Sequence, residues 1–415
     1  MLKITMNEPT TIIEDFHRFL TYIKEQPIKL TKTKGNLSKK DLRAMYAMLP
    51  NLGLEVGENA TQSYYPVINL FMELAQKLEL VRTSTIGLST VLIVDEEQLA
   101  KFEQLTITER YVSLLQCFWL QANWEELQGG LYASTPNNVD FLLEELNEFP
   151  VNTKITLAKH PSLKDFLERY GHFLLHFQYF GFWEVELDES VQPKTKVRAK
   201  SIKITSFLTS LFPLLVQNYN SRTGLNMEPK FAIFDIFLDI NDDEEDFENE
   251  KISSEEFLAA LKPHFEKGQL ERVLEPKEKI MKHGEYVFKV AISSSCWRQI
   301  ALDGSSTLQD LHNWIQRAFS FDDDHLYGFY MDNKPFSQKC YNSPMDRQGP
   351  YAHNVTIAEL YLNEGQQFLY VFDFGHEWHF QIIVEKINEG RQVVFPGIRK
   401  EKGKAPKQYP DFDWD

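Results

Sequence analysis

Residues 370–380 read YVFDFGHEWHF. The run before it, QFLYVFDF, and the run after it, WHFQIIVEKI, are rich in aromatic and β-branched residues at alternate positions. That is the pattern of two strands joined by a bend. Asp373 stands at the end of the first strand, where its carboxylate can accept from the backbone N–H groups of the turn, and Gly375 is expected to supply the positive φ. The histidines of HEWH do not form a zinc motif. The HExxH motif works because residues four apart share a helix face, whereas His376 and His379 are three apart in a hairpin.

Working outward, Tyr286, Phe288, Val290 and Ile292 alternate in a first strand, and CWRQIAL follows as a second. Thr307 with Asp310 predicts a capped helix whose buried stripe is Leu308, Leu311, Ile315 and Phe319. HLYGFYM is expected as a strand and TIAELYL as a short helix before the closing hairpin. The order ββαβαββ predicts an α+β, β-grasp-like module over residues 276–395, with a tail at 396–415. His312 borders the buried stripe, where a lone histidine is usually a hydrogen-bonded core residue. Its candidate partners are Asp373 and the acidic run Asp322, Asp323 and Asp324.

These residues carry a resemblance. CWRQIAL, TLQDLHNWIQRAFSFDDDHLYGF and FLYVFDFGHEWHFQIIVEKI together resemble the plasmid pRiA4b ORF-3-like family, also described as passenger proteins of insertion elements. The matching pieces are Trp297-Arg298, Leu311-His312, His325-Leu326 and the bend from Tyr370 to Trp378. Two positions depart from the family's pattern: His376 stands where a second aspartate is usual, and Phe380 where a histidine is frequent. The resemblance implies the fold of this module and an association with mobile elements, and no reaction.

The N-terminal part reads as mainly helical. SKKDLRAMYAML and PVINLFMELAQKLEL repeat apolar residues at helical spacing, and the short runs LELVRTS and LSTVLIV follow as a hairpin. Helix, helix and hairpin is a winged-helix-like order, expected over residues 1–105. A second such unit is expected over 106–240, where SLKDFLERYGHFLLHFQYF precedes FWEVEL and SIKIT. Residues 241–275 read as a linker and connector: NDDEEDFENEK is too acidic to be ordered by burial, and Ser253 with Glu256 caps a helix after it.

The 415 residues are 43% hydrophobic with a net charge of −16, which suits folded domains and disfavours nucleic acid and anionic membranes at long range. Three scattered cysteines without a CxxC pair fit reduced thiols. With no leader-like start and no apolar run of about 18 residues, a cytoplasmic protein without a membrane partner is expected. No phosphate loop or nucleophile elbow appears, and no cofactor or metal is expected.

The first expectation is therefore a non-enzymatic binding protein, its partner an unknown protein or small ligand. The ligand-binding candidates are Trp297, Arg298, His312, His325, Asp373 and Trp378. DNA is a further candidate partner, through Lys194, Lys196, Arg198 and Lys200 in a wing-like loop. The alternative is a hydrolase or nuclease using His312, Asp324, His325 and Asp373, by acid–base or metal chemistry.

Overall fold

The computed structural model describes residues 1–31, 35–49, 56–86, 89–128, 139–188, 198–223, 253–275, 277, 280–337, 339–393 and 395–409. Lys194, Lys196 and the acidic run at 241–251 lie outside the described residues. The chain divides into two compact units, Met1–Arg82 with Val91–Lys277, and Thr83–Thr90 with Glu278–Asp415.

The first unit is a helical assembly carrying two small sheets. Helices Ile12–Glu25, Lys39–Met48 and Pro66–Lys77 precede the strands Val81–Ile86 and Ser89–Val94, of which residues 83–90 group with the second unit. The second sheet joins Lys154–Thr156, Ala199–Ile204 and Trp183–Leu187, with Ala199–Ile204 central. One buried apolar cluster runs from Ile4 to Leu274 and includes Phe257 and Leu261 of the capped helix Ser254–Leu261. The run at 162–180, expected as one helix, is two, Pro161–Arg169 and Gly171–Tyr179.

The second unit, which holds the candidate site, is α+β. Its strands are β1 (Gly284–Ser293), β2 (Cys296–Asp303), β3 (Tyr327–Tyr330), β4 (Cys340–Asn342), β5 (Gln367–Phe372), β6 (Trp378–Glu389) and β7 (Gly397–Lys402). They form one sheet in the order β4-β3-β5-β6-β1-β2-β7, with every neighbouring pair antiparallel. Helix α1 (Leu308–Phe319) begins with the expected capping box of Thr307 and Asp310 and buries Leu308, Leu311, His312, Ile315 and Phe319.

Alternation decides which side chains join this core. Phe368, Tyr370 and Phe372 enter the main cluster with Tyr286, Phe288, Val290, Phe380 and Ile382, while Leu369 and Val371 point to a smaller cluster with Tyr330. Each fully buried side chain of this size contributes about 2 kcal/mol, so a one-residue slip that inverted the faces would cost most of the core.

Three details differ from the sequence reading. TIAELYL holds a single 3-10 turn, Ala358–Leu360, which ends at Tyr361 with φ 49°. Two edge strands, β4 and β7, were not anticipated: β4 is three residues long and β7 is exposed at five of its six positions, so neither alternates legibly. At the bend after β5 the positive φ falls on Asp373 (55°) and Glu377 (50°) and not on Gly375. Aspartate tolerates this conformation because its short polar side chain bonds locally.

Candidate functional site

The bend between β5 and β6 is organised by Asp373. Its Oδ1 accepts from the backbone N–H of Gly375 at 3.0 Å and of His376 at 3.2 Å, the Asx-type role expected of it. Its Oδ2 accepts from His376 Nδ1 at 2.8 Å and lies 3.3 Å from His325 Nε2. Burial pushes the carboxyl up, but the N–H groups and ring of His376, the N–H of Gly375 and the charge of His325 outweigh it, holding Asp373 below the usual carboxylate value. Two half-exposed imidazoles thus converge on one carboxylate that is itself almost fully buried.

His325 is oriented from its other side, where Nδ1 donates to the Asp324 carbonyl at 2.8 Å. The acidic run Asp322 to Asp324 is exposed, as are His376 and Glu377 on the neighbouring bend. His379, across the strand from Val371, turns instead to Glu377 at 3.4 Å.

His312 belongs to a separate network inside the core. Its Nδ1 lies 2.6 Å from the Tyr370 hydroxyl, and its Nε2 lies 2.9 Å from Asp323 Oδ1. Gln316 Nε2 donates to the same hydroxyl at 2.8 Å. With its oxygen accepting from Gln316, the phenol turns its proton to Nδ1, which leaves the ring proton on Nε2 to donate to Asp323. The ring is stacked on Tyr327 at 3.8 Å between centroids. Burial lowers its pKa despite the opposing pull of Asp323, so it is a neutral imidazole with both nitrogens occupied. The buried Tyr327 hydroxyl has no partner among the described residues.

Arg298 is also turned inward, only 5% exposed. Its Nε donates to the Ala318 carbonyl at 2.9 Å, and its Nη1 to those of Trp297 at 2.9 Å and of Lys402 and Gly403 at 3.1 Å each. The guanidinium lies over the Phe319 ring at 4.8 Å. It therefore caps the negative end of α1 and ties β7 to it. Trp297 is half-buried beneath Lys289, whose Nζ is 5.1 Å from the ring. Trp378 packs edge-on against Phe321 at 5.0 Å.

Of the four groups in the hydrolase alternative, the structure therefore joins His325 with Asp373 and, through its carbonyl, Asp324. His312 goes to Asp323 instead. Among the described residues, no group of three histidine, cysteine or acidic side chains is arranged to hold a metal ion. Sequence reasoning missed Tyr370 and Gln316 as partners of His312, and His376 as a partner of Asp373. The acidic run had pointed to Asp323 as one candidate among three.

Residues 286–408 match the plasmid pRiA4b ORF-3-like protein family. The match lies within the second unit and leaves the first outside it. A solved structure of a protein of unknown function from Methanosarcina mazei Go1 is similar at 26% identity, over 30% of this chain and 72% of that one, with a TM-score of 0.26. Nothing among curated proteins matches the chain. Within the ORF-3-like unit, the matched pieces Leu311-His312 and His325-Leu326 bracket the loop that carries Asp322, Asp323 and Asp324.

The basic loop of the first unit can be followed only from Arg198 onward. There Lys200 and Lys154 pair with Glu186 at 3.5 and 2.6 Å, and Lys203 pairs with Glu184 at 3.0 Å. Glutamates on the adjacent strand thus offset the described part of the basic run. No described helix is long and apolar enough to cross a membrane.

Proposed function

We propose that the ORF-3-like unit is a non-enzymatic binding module, and that a partner meets the face formed by the bend at Asp373 and the loop at Asp322 to His325. One observation carries this reading: His312, the one fully buried histidine among the described residues of the unit, has both ring nitrogens engaged by Tyr370 and Asp323. A general base needs a free lone pair within reach of a substrate proton, and this imidazole offers none. What remains outward is a pair of imidazoles on one carboxylate beside three exposed aspartates, an arrangement suited to recognition. Trp378 is the member of the earlier ligand set that borders this face through Phe321, while Trp297 and Arg298 serve the sheet edge.

The finer fold descriptions belong to the same proposal. Helix, helix and hairpin order over residues 39–94 supports a winged-helix-like element, and one helix over a sheet supports a β-grasp-like one. Association with mobile elements follows from the family resemblance, and DNA contact through Lys194, Lys196, Arg198 and Lys200 is a further reading, against which stands the pairing of Lys200 with Glu186.

The test is turnover. Purified protein is offered phosphodiester, carboxylic ester and peptide substrates, with and without manganese or zinc, beside Asp373→Asn. No turnover that the substitution removes is expected. Hydrolysis lost in Asp373→Asn would replace the binding reading with the hydrolase one. In parallel, duplex DNA binding at two salt concentrations decides the DNA contact, which requires affinity that falls with salt and with Lys194→Ala and Lys196→Ala together.

A further inference from the structure

The last described residues cross the candidate site. After β7 the chain is held by Arg298, which takes the carbonyls of Lys402 and Gly403, and by Cys296, whose Sγ donates to the Lys404 carbonyl at 3.4 Å. Gln408 then clamps the acidic loop. Its Oε1 accepts from the Asp322 N–H at 2.5 Å, and its Nε2 donates to the Asp322 carbonyl at 3.0 Å and to Asp324 Oδ1 at 3.2 Å. Tyr409 comes last. Its hydroxyl lies 2.8 and 2.9 Å from the two Asp324 oxygens, and its ring stands edge-on to both His325 (6.1 Å) and His376 (5.7 Å). One phenol therefore bonds the Asp324 carboxylate and stands against both imidazoles that share Asp373.

The chemistry of this strap is as telling as its position. Residues 400–409 read KEKGKAPKQY, a lysine-rich segment ending in a phenol, and its last two residues, Gln408 and Tyr409, lie on a loop of three consecutive aspartates. Its two ends are held differently. The anchor at 402–404 is bonded to a buried arginine and a buried cysteine, whereas Tyr409 is 38% exposed and its carboxylate partner is exposed as well. Contacts open to water exchange readily, so the tip can leave while the anchor stays.

We propose that this face takes a basic, tyrosine-bearing segment of a partner polypeptide, and that the chain's own Gln408 and Tyr409 hold that place until displaced. The inference rests on reading the face as a binding site and names the partner's chemistry. A partner must supply an aromatic hydroxyl for Asp324 beside the two imidazoles, as Tyr409 does, and its basic residues complement the charge of Asp322 to Asp324. The strap sets a threshold: any segment must outcompete a tethered one of the same character.

The experiment reads histidine accessibility in the full chain, residue by residue, as the rate of carbethoxylation measured by peptide mass spectrometry. Tyr409→Ala is expected to raise the rates at His325 and His376 severalfold and to leave buried His312 unreactive. Adding the synthetic peptide KEKGKAPKQY to that variant is expected to restore protection, and the same peptide with alanine for its tyrosine is not. Unchanged rates in Tyr409→Ala overturn the proposal, as does protection that ignores the peptide's tyrosine. A parallel rise at His312 also overturns it, because the substitution would then be loosening the unit as a whole. The readout involves no turnover, so a failure here is distinct from the discovery of hydrolysis in the test above.

Discussion

Asp373 sits in a left-handed conformation that most residues pay to adopt, and its side chain returns that cost by accepting from two turn N–H groups and one imidazole. Asparagine keeps the acceptor Oδ1 and tolerates the same backbone, whereas alanine keeps neither. Asp373→Ala is therefore expected to destabilise the second unit by about 2–3 kcal/mol, and Asp373→Asn by under about 1 kcal/mol, as read by urea unfolding. The depressed carboxyl works in one direction with pH: its contribution is full above the ordinary 3.8 and is lost as pH falls through the lower folded value. The turn role of Asp373 was legible in the sequence, because aspartate before glycine at a strand end has a local mechanism. The positive φ was assigned to Gly375 on residue type alone, and the Asx geometry moved it to Asp373.

At the level of elements, Arg298 fastens three things together: the end of α1, strand β2 on which it stands, and the edge strand β7. Four carbonyls receive its guanidinium, a task for a planar fork of donors and not for a single ammonium. Arg298→Lys is thus expected to cost about 2 kcal/mol, and to speed amide exchange in residues 397–403 ahead of the rest of the sheet. The pairing of β7 with β2 explains why that strand was hidden. Its sequence GIRKEK has no apolar alternation, and its charges suit an edge that must not recruit further strands. Helix α1, by contrast, was fully legible, since its cap and its stripe are both written within a dozen residues.

Across the whole molecule, each unit buries a neutral histidine, His312 in the second and His176 in the first. His176 is 1% exposed and donates from Nε2 to the Pro66 carbonyl at 3.2 Å. Burial first, and neighbouring His172 second, push it down to about 3 from the ordinary 6.5. The unfolded chain binds the proton first as pH drops below 6.5, so stability is lost from there down toward about 3, and is intact above 6.5. The slope is about 1.4 kcal/mol per pH unit for one such group. Unfolding of the first unit measured across about pH 4 to 7 is expected to show that decline, and His176→Phe to reduce it, leaving the part due to His172, which burial holds down to about 4.

The sequence alone determined the strand alternation, the capped helices, the α+β character of the second unit and its resemblance to the ORF-3-like family. Those features rest on interactions between residues a few positions apart, whose free energies depend on residue type and spacing. Only the tertiary structure decided that His312 pairs with Tyr370 and Asp323, that two imidazoles share Asp373, that Arg298 faces inward and that Tyr409 lies across the site. These partners are as many as 105 residues apart. No local pattern encodes such a distance; it is fixed when the apolar faces close and each buried polar group must find whichever partner the packing has brought within reach.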